Sequence, residues 1–377
     1  MVPKLRFNET KNTTYSTVTL GEAVQSISSG RSKDCVENGN FKFYGSTGII
    51  GFRSTADYEG TAILIARVGA NAGSLYMVNG KYNVSDNTLI VSADTQFINY
   101  LYFYLSAINL NKLVYGSGQP LITGGMLKSL KIEIPGTKEQ TKIADFLSSV
   151  DEKITLLNKQ YDLLCQYKKS MMQKIFSQEV RFKDERGEEF PKWETCELKN
   201  FLIPTLREVK KPSENFLSVG IRSHFKGTFH KNDQDPNKVS VDKLFLVHEG
   251  DFILNITFAW EGALAIARKE DHLGYVSHRF PTYTFKKEFM APTFFRYIYT
   301  LPKFLTYLDL CSPGGAGRNR VLKKSEFIEI EIDKPCMAEQ IKIANFLSAL
   351  DDKIAVKKAE LDKLKTWKQG LLQQMFV

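Results

Sequence analysis

Residues 135–154 read PGTKEQTKIADFLSSVDEKI and residues 335–354 read PCMAEQIKIANFLSALDDKI, a shift of 200 with no gap and 12 identities in 20. The match runs on more weakly through Asp162/Asp362, Leu164/Leu364, Lys168/Lys368, Gln173/Gln373 and Phe176/Phe376, so a block of about forty residues occurs twice. A repeat at fixed spacing constrains a fold more than any local propensity, because whatever one copy becomes the other must become too. Each copy opens at a proline after a strand-like run, continues with a Glu-Gln pair suited to a helix first turn, and then runs free of internal proline.

Apolar side chains in these blocks recur at coiled-coil spacing. The first copy places Leu147, Val150, Ile154, Leu157 and Leu164 on one stripe, and the second places Leu347, Leu350, Ile354, Leu361 and Leu364 there. At 1.5 Å per residue such a helix is a rod of roughly 60 Å, too long for one small domain to cover. The economical solution is that the two rods pack on each other. A whole domain separates them in sequence, so they can run antiparallel, giving the repeat a pseudo-two-fold relation, with Lys168 and Lys368 in the seam helping to fix the register.

The blocks before the rods share a fainter plan. Tyr58-Glu-Gly-Thr-Ala-Ile-Leu-Ile resembles His248-Glu-Gly-Asp-Phe-Ile-Leu-Asn, and Val84-Ser-Asp-Asn pairs with Val276-Ser-His-Arg. Aromatic helices follow at Tyr100-Leu-Tyr-Phe-Tyr-Leu and Phe294-Phe-Arg-Tyr-Ile-Tyr. Next comes a glycine-rich turn, Gly116-Ser-Gly-Gln-Pro or Pro313-Gly-Gly-Ala-Gly-Arg-Asn-Arg, and a closing strand. Short β-rich runs broken by glycine, with a helix or two, predict an α+β fold of two tandem globular readers, each followed by a long helix, the helices forming an antiparallel coiled coil. The expected boundaries are a reader at 1–135, a helix at 136–178, a polar linker at 179–192, a reader at 193–335 and a helix at 336–377. With 43% hydrophobic residues, both readers can fill cores.

Charge and motifs narrow the chemistry. The formal net charge of +9, from 51 basic against 42 acidic residues, suits a nucleic-acid partner. No phosphate loop ending in Gly-Lys-Ser/Thr, no Asn-Pro-Pro-Tyr methyltransferase run and no paired-carboxylate nuclease pattern is present. The cluster Asp184, Glu185, Glu188 and Glu189 lies on the polar linker and reads as a solvated charge run. All five histidines fall in the second reader without ligand spacing, and the five cysteines form no zinc pattern and read as free thiols, so no metal site is expected. The start lacks a signal peptide's apolar core and no apolar run reaches membrane length, so a cytoplasmic chain is expected.

What remains is a binding surface. Arg318, Asn319, Arg320 and Lys323 follow a run of glycines in the second reader, and Gln119 takes the comparable place in the first. A flexible backbone presenting Arg and Asn suits phosphate oxygens and base edges, where Arg pairs with guanine and Asn with adenine.

Together these features resemble the specificity subunits of type I restriction-modification enzymes over nearly the whole chain. The residues carrying the resemblance are Pro135 with Glu139-Gln140-x-Lys142-Ile143-Ala144-x-Phe146-Leu147, its copy from Pro335, the Phe190-Pro-Lys-Trp193 lead-in and the turn before each closing strand. One departure is the first lead-in, from Leu5 to Tyr15, which lacks the Phe-Pro-x-Trp of the second. The resemblance implies two target-recognition domains, each reading half of a split, asymmetric site in double-stranded DNA. It also implies two docked modification subunits that methylate adenine with S-adenosylmethionine, and restriction (translocase) subunits using ATP and Mg. This chain would then be a non-catalytic subunit without a cofactor of its own, in a bacterial or archaeal cytoplasm. Competing readings are a scaffold of a related non-type-I modification system, a metal-dependent nuclease built on the histidine-rich reader, and a purely structural coiled-coil adaptor.

Overall fold

Both repeated blocks are helical over nearly their whole length, Thr137–Phe176 with 40 residues and Met337–Met375 with 39. The structure is a computed structural model, and it describes residues 3–10, 14–113, 120–314 and 320–376. The chain divides into two compact units. Met1–Leu163 with Ala355–Val377 form the first and Leu164–Ile354 the second, so each unit owns one reader, the opening part of the helix that follows it, and the closing part of the other helix. The fold is α+β with two tandem readers; the units cut through the long helices rather than between reader and helix.

In the first unit, a four-stranded antiparallel sheet runs in the order Ser26–Ser29, Thr88–Ser92, Ala62–Ala66, Leu75–Val78. Its central strand, AILIA, is buried at every position, as a strand covered on both faces must be. A second sheet has the order Gly48–Arg53, Phe41–Gly45, Lys81–Val84, Tyr58–Glu59, with its middle pair parallel. The second unit repeats the plan. Leu202–Pro204, Thr282–Phe285, Phe252–Leu254 and Leu264–Ile266 make the antiparallel sheet, while Thr228–Gln234, Phe216–Ile221, Gly274–Val276, Lys243–Val247 and Glu208–Lys210 make the other. In each reader a two-stranded ribbon, Ser16–Thr19 with Lys131–Ile134 or Glu194–Glu197 with Glu331–Lys334, delivers the chain into its long helix.

The Glu-Gln pair explains the start of each helix. Gln140 folds back so that Nε2 donates to the Pro135 carbonyl at 2.7 Å, and Gln340 does the same to Pro335 at 2.9 Å. Gln340 also donates to the Phe289 carbonyl and accepts from the Ala291 amide, leaving a fully buried amide satisfied. Glu139 and Glu339 are buried carboxylates, 1% and 0% exposed. A buried charge must be paired, and each is met by an arginine fork: Arg6 Nε and Nη2 at 2.9 and 2.6 Å, Arg181 Nε and Nη2 at 3.2 and 2.6 Å.

These arginines belong to equivalent clips. In the second unit the Val180 amide donates to the Lys174 carbonyl at the end of the first long helix, and Phe182 packs edge-on against Phe346. In the first unit the Leu5 amide donates to the Gln374 carbonyl at the end of the second long helix, and Phe7 packs edge-on against Phe146. Residues 5–7 therefore do for one helix end what 180–182 do for the other. One expectation changes accordingly: the segment 179–192 is not wholly a polar tether, since Val180-Arg-Phe is docked. The first lead-in lacks the Phe-Pro-x-Trp motif as read from sequence, yet it has a positional counterpart. Tyr15 holds the position of Trp193, because Ser16 pairs with Ile134 as Glu194 pairs with Lys334.

Within each unit the two helix segments run antiparallel. Asp151 meets Lys368 at 2.5 Å in the first, and Asp351 meets Lys168 at 2.5 Å in the second. The pairs are reciprocal under the 200-residue shift, the pattern an isologous contact produces. Each lysine also lies over an equivalent ring, Lys368 over Phe103 and Lys168 over Tyr297. The stripe is less purely a seam than its spacing suggests: Leu147 and Val150 join the first reader's core, as do Leu347 and Leu350 the second's. Leu157 and Leu361 are buried, Ile154, Leu164, Ile354 and Leu364 half-buried.

Arg181→Ala strands the Glu339 carboxylate in a dry site. We expect a loss of about 3–5 kcal/mol from the second unit, read by urea titration through Trp193 and Trp260 fluorescence. Arg181→Met combined with Glu339→Leu should recover most of it, and equal loss in the single and double variants would contradict this account.

Candidate nucleic-acid interface

In each reader the segment following the glycine-rich run is sewn to the segment leaving the central strand. The Ile122 amide donates to the Arg67 carbonyl and the Leu322 amide to the Ile256 carbonyl, both at 2.8 Å. Those segments are tied in turn to a neighbouring loop, Arg67 N to Asn87 O at 3.1 Å and Ile256 N to Arg279 O at 3.0 Å. Three chain segments thus converge in the same way in both readers: the one after the glycine-rich run, the end of the central strand, and the Val84-Ser-Asp-Asn or Val276-Ser-His-Arg loop. The faint Val-Ser match in sequence marks this junction.

The convergent loops carry different chemistry. In the first reader the exposed residues are Asp86 and Asn87, and in the second His278 and Arg279. Arg67 Nη1 donates to Ser29 Oγ and to the Asp86 carbonyl, each at 3.3 Å. Its Nε and the hydroxyls of Ser85 and Thr88 are buried without a hydrogen-bond partner among the described residues.

Of the turn residues singled out by sequence, Gln119, Arg318 and Asn319 lie outside the described residues. Arg320 is turned inward. Its Nε donates to the Ser312 carbonyl at 2.9 Å, its Nη2 donates to the Asp309 carbonyl at 2.8 Å and pairs with the Asp309 carboxylate at 2.7 Å, and the guanidinium lies 4.9 Å from the Trp260 ring centre. A cation placed on the last carbonyls of the helix Pro302–Leu310 is where the helix field favours it. The geometry makes Arg320 the fastener of the turn's exit. Lys323 pairs with Glu326 at 2.6 Å on the surface, its side chain about half exposed.

Trp260 had no sequence signal as a platform, since the repeat does not align it with a first-reader aromatic. The same segment supports another loop. Glu261 accepts from the Ser223 hydroxyl at 2.7 Å, its carbonyl accepts from the His224 amide at 2.7 Å, and the Gly262 carbonyl accepts from the Phe225 amide at 2.9 Å. His224 and Phe225 both take left-handed backbone angles, φ 60° and 57°, unusual for two successive residues with side chains. The 259–262 segment therefore holds the exit of the glycine-rich turn on one side and a strained basic loop on the other.

The histidines do not gather. His230 Nε2 lies 2.6 Å from buried Asp271, the His248 and His272 rings are 5.0 Å apart, and among the described residues no group of three or more His, Cys, Asp or Glu could hold a metal ion. No helix of the described residues is long and apolar enough to cross a membrane.

Comparison with known proteins adds to this geometry. A family model for the type I restriction modification DNA specificity domain matches residues 12–166 and 191–366. The MjaVIII type I restriction enzyme specificity subunit of Methanocaldococcus jannaschii is 24% identical over 332 residues, spanning 82% of this chain and 77% of that protein. The EcoprrI specificity subunit of Escherichia coli is 30% identical over 109 residues, 29% of this chain and 27% of its own. The fold is that of the S subunit of a type I restriction-modification system from M. genitalium, with a TM-score of 0.68 over 100% of this chain and 99% of that one at 15% identity.

Arg320→Ala releases the turn's exit from the helix end and from Trp260. We expect the second unit to lose about 1–3 kcal/mol, measured by urea titration. Arg320→Lys, which keeps the charge but not the fork, should recover only part, and a neutral Arg320→Ala would show that the contact fastens nothing.

Proposed function

Because the chain belongs to the type I restriction modification DNA specificity family, and is thereby a non-catalytic DNA-recognition subunit, we propose that its two readers each recognise one half of a split, asymmetric duplex site. The observation that carries this reading is the contrast inside the repeat. The helix starts, clips and Lys–Asp pairs are equivalent in both units, whereas the surfaces at the three-segment junctions differ, Asp86-Asn87 against His278-Arg279. Equal scaffolding with unequal faces is what reading two different half-sites requires, because base recognition depends on the donors and acceptors a face presents. Gln119 in the first reader and Arg318, Asn319 and Lys323 in the second remain our candidates for contacts to DNA.

The long helices set the separation of the half-sites and carry the partner subunits. Leu156 and Val356, 62% and 65% exposed, are repeat equivalents, as are Tyr167 and Trp367, each 49% exposed. Such duplicated apolar side chains support docking of two copies of one modification subunit. In this assembly the modification subunits bring S-adenosylmethionine for adenine methylation, and restriction (translocase) subunits bring ATP and Mg. The work takes place in the bacterial or archaeal cytoplasm, where the target DNA lies.

Methylated adenines mapped across DNA exposed to the chain with its modification subunits should fall in one bipartite motif. Four residues inserted after both Lys159 and Ala359, at the midpoint of the reciprocal helix contacts, should lengthen the untouched spacer and leave both half-sites as they were. Altered half-sites would sink the spacer role. Arg318→Ala should relax base preference in one half-site alone, and uniform weakening across sequences would make Arg318 a phosphate contact instead.

A further inference from the structure

The second unit contains a cavity of about 430 Å³ between the loop 222–228, the end of the strand Leu264–Ile266 and the helix Pro292–Ile298. Arg222, Lys226, Arg268 and Arg296 line it, with Phe225 and Tyr299 as an aromatic wall, ring centres 6.1 Å apart, and no acidic side chain contributes to the lining. Resting on the DNA-reading function proposed above, we infer that this cavity seats a backbone phosphate of the DNA bound by the second reader and so positions that reader on its half-site.

The charge arrangement points to an anion. Arg268 is partly neutralised, 2.7 Å from Glu270 and 3.7 Å from Asp271. Arg222, Lys226 and Arg296 have no carboxylate at ion-pair distance among the described residues. Cations crowded at one concavity repel one another, and arginines cannot relieve this by deprotonating, so a bound anion is the remaining compensation.

The site is also built in advance. Arg222 Nη1 donates to the Thr228 carbonyl at 3.1 Å while its guanidinium lies 5.2 Å from the Phe229 ring centre, and Arg268 Nη2 reaches the Thr228 hydroxyl at 3.0 Å. The loop that presents Arg222 and Lys226 is held in its left-handed turn at His224 and Phe225 by the 259–262 segment, which also carries the Arg320 platform. One short segment therefore supports both the loop that lines the cavity and Arg320.

Among the described residues of the first reader the equivalent positions do not carry this chemistry. Tyr102 stands where Arg296 does, since the neighbouring Phe103 and Tyr297 receive the equivalent lysines. The corresponding hairpin carries Ser46 and Thr47, and a cavity of about 260 Å³ beside Tyr102 has no charged side chain in its lining. Among the described residues, the phosphate seat is thus a feature of the second reader.

The test uses the full chain in complex with its modification subunits, the duplex bearing its methylation motif, and a random duplex. Arg222→Gln, Lys226→Gln and Arg296→Gln should each weaken both duplexes by about tenfold and reduce the slope of log affinity against log salt by about one, with the methylated motif unchanged. A neutral methylphosphonate at one position in the second half-site should weaken the wild-type complex by a similar factor and the Arg296→Gln complex no further. Wild-type affinities and salt slopes in all three variants would overturn the inference, as would a changed half-site, which would make these residues base readers. Protection of the wild type against heat by inorganic phosphate or ATP, with DNA affinity untouched in the variants, would overturn it in favour of a small anion. Failure of the wild-type complex to distinguish the two duplexes would instead overturn the DNA-reading function itself.

Discussion

A carboxylate with no access to water at the first turn of a helix is unstable unless a cation reaches it in good geometry, and Glu139 and Glu339 are such carboxylates. The arginine that answers each does not come from the helix it caps. Arg6 arrives from a segment bonded to the end of the second long helix, and Arg181 from a segment bonded to the end of the first. One ion pair thereby joins three things: the ribbon that closes a reader, the start of that reader's helix, and the finish of the other helix. The hydrogen bonds to Glu139 and Glu339 hold both guanidiniums above the ordinary arginine value. Neither helix end has an arrangement of its own once these pairs are made.

The helices and the doubled motif were legible in the sequence because their signals are local and gapless: proline, Glu-Gln, and apolar residues at 3-and-4 spacing. The clips were not. Leu5-Arg-Phe and Val180-Arg-Phe are separated by 175 residues while their carboxylate partners are separated by 200, so a fixed shift misses them and segment 179–192 reads as a polar tether. Only the shared backbone bonds to Gln374 and Lys174 reveal the equivalence. Arg320 illustrates a different blind spot. An arginine after glycines looks available in sequence, yet the carbonyls of Asp309 and Ser312 and the face of Trp260 engage it, and neither burial nor helix ends can be weighed residue by residue before the fold is known. The basic cavity was equally hidden, because its four cations come from three separate segments.

Divergence in the readers follows the same division between positions that must fit and positions that are free. Side chains that meet the long helices keep their character across the repeat: Tyr100 and Phe294 both pack on the helix-end phenylalanines, Phe376 and Phe176. Two residues on stand Tyr102, half-buried against its core, and the exposed Arg296, which share nothing. A helix turn thus carries one position fixed by the long helix and one free to vary, and the variable position is where the second reader carries a cation and the first a tyrosine.

The Lys–Asp pairs that join the helices are a third to a fifth exposed, and on that ground each contributes modestly to stability. Their weight lies in what they exclude. Two helices built on one repeat could in principle associate in parallel and in register, which would set Asp151 against Asp351 and Lys168 against Lys368. Every one of those contacts would then be between like charges. The antiparallel register converts the same four side chains into two opposite-charge pairs, each with a ring beneath its lysine. The discrimination between the two arrangements therefore exceeds the strength of either pair taken alone, and it survives partial screening because repulsion and attraction are screened alike. A repeat that duplicates its charges must choose positions whose partners are opposite when the chains run in opposite directions, and residues 151 and 168 with their copies meet that condition.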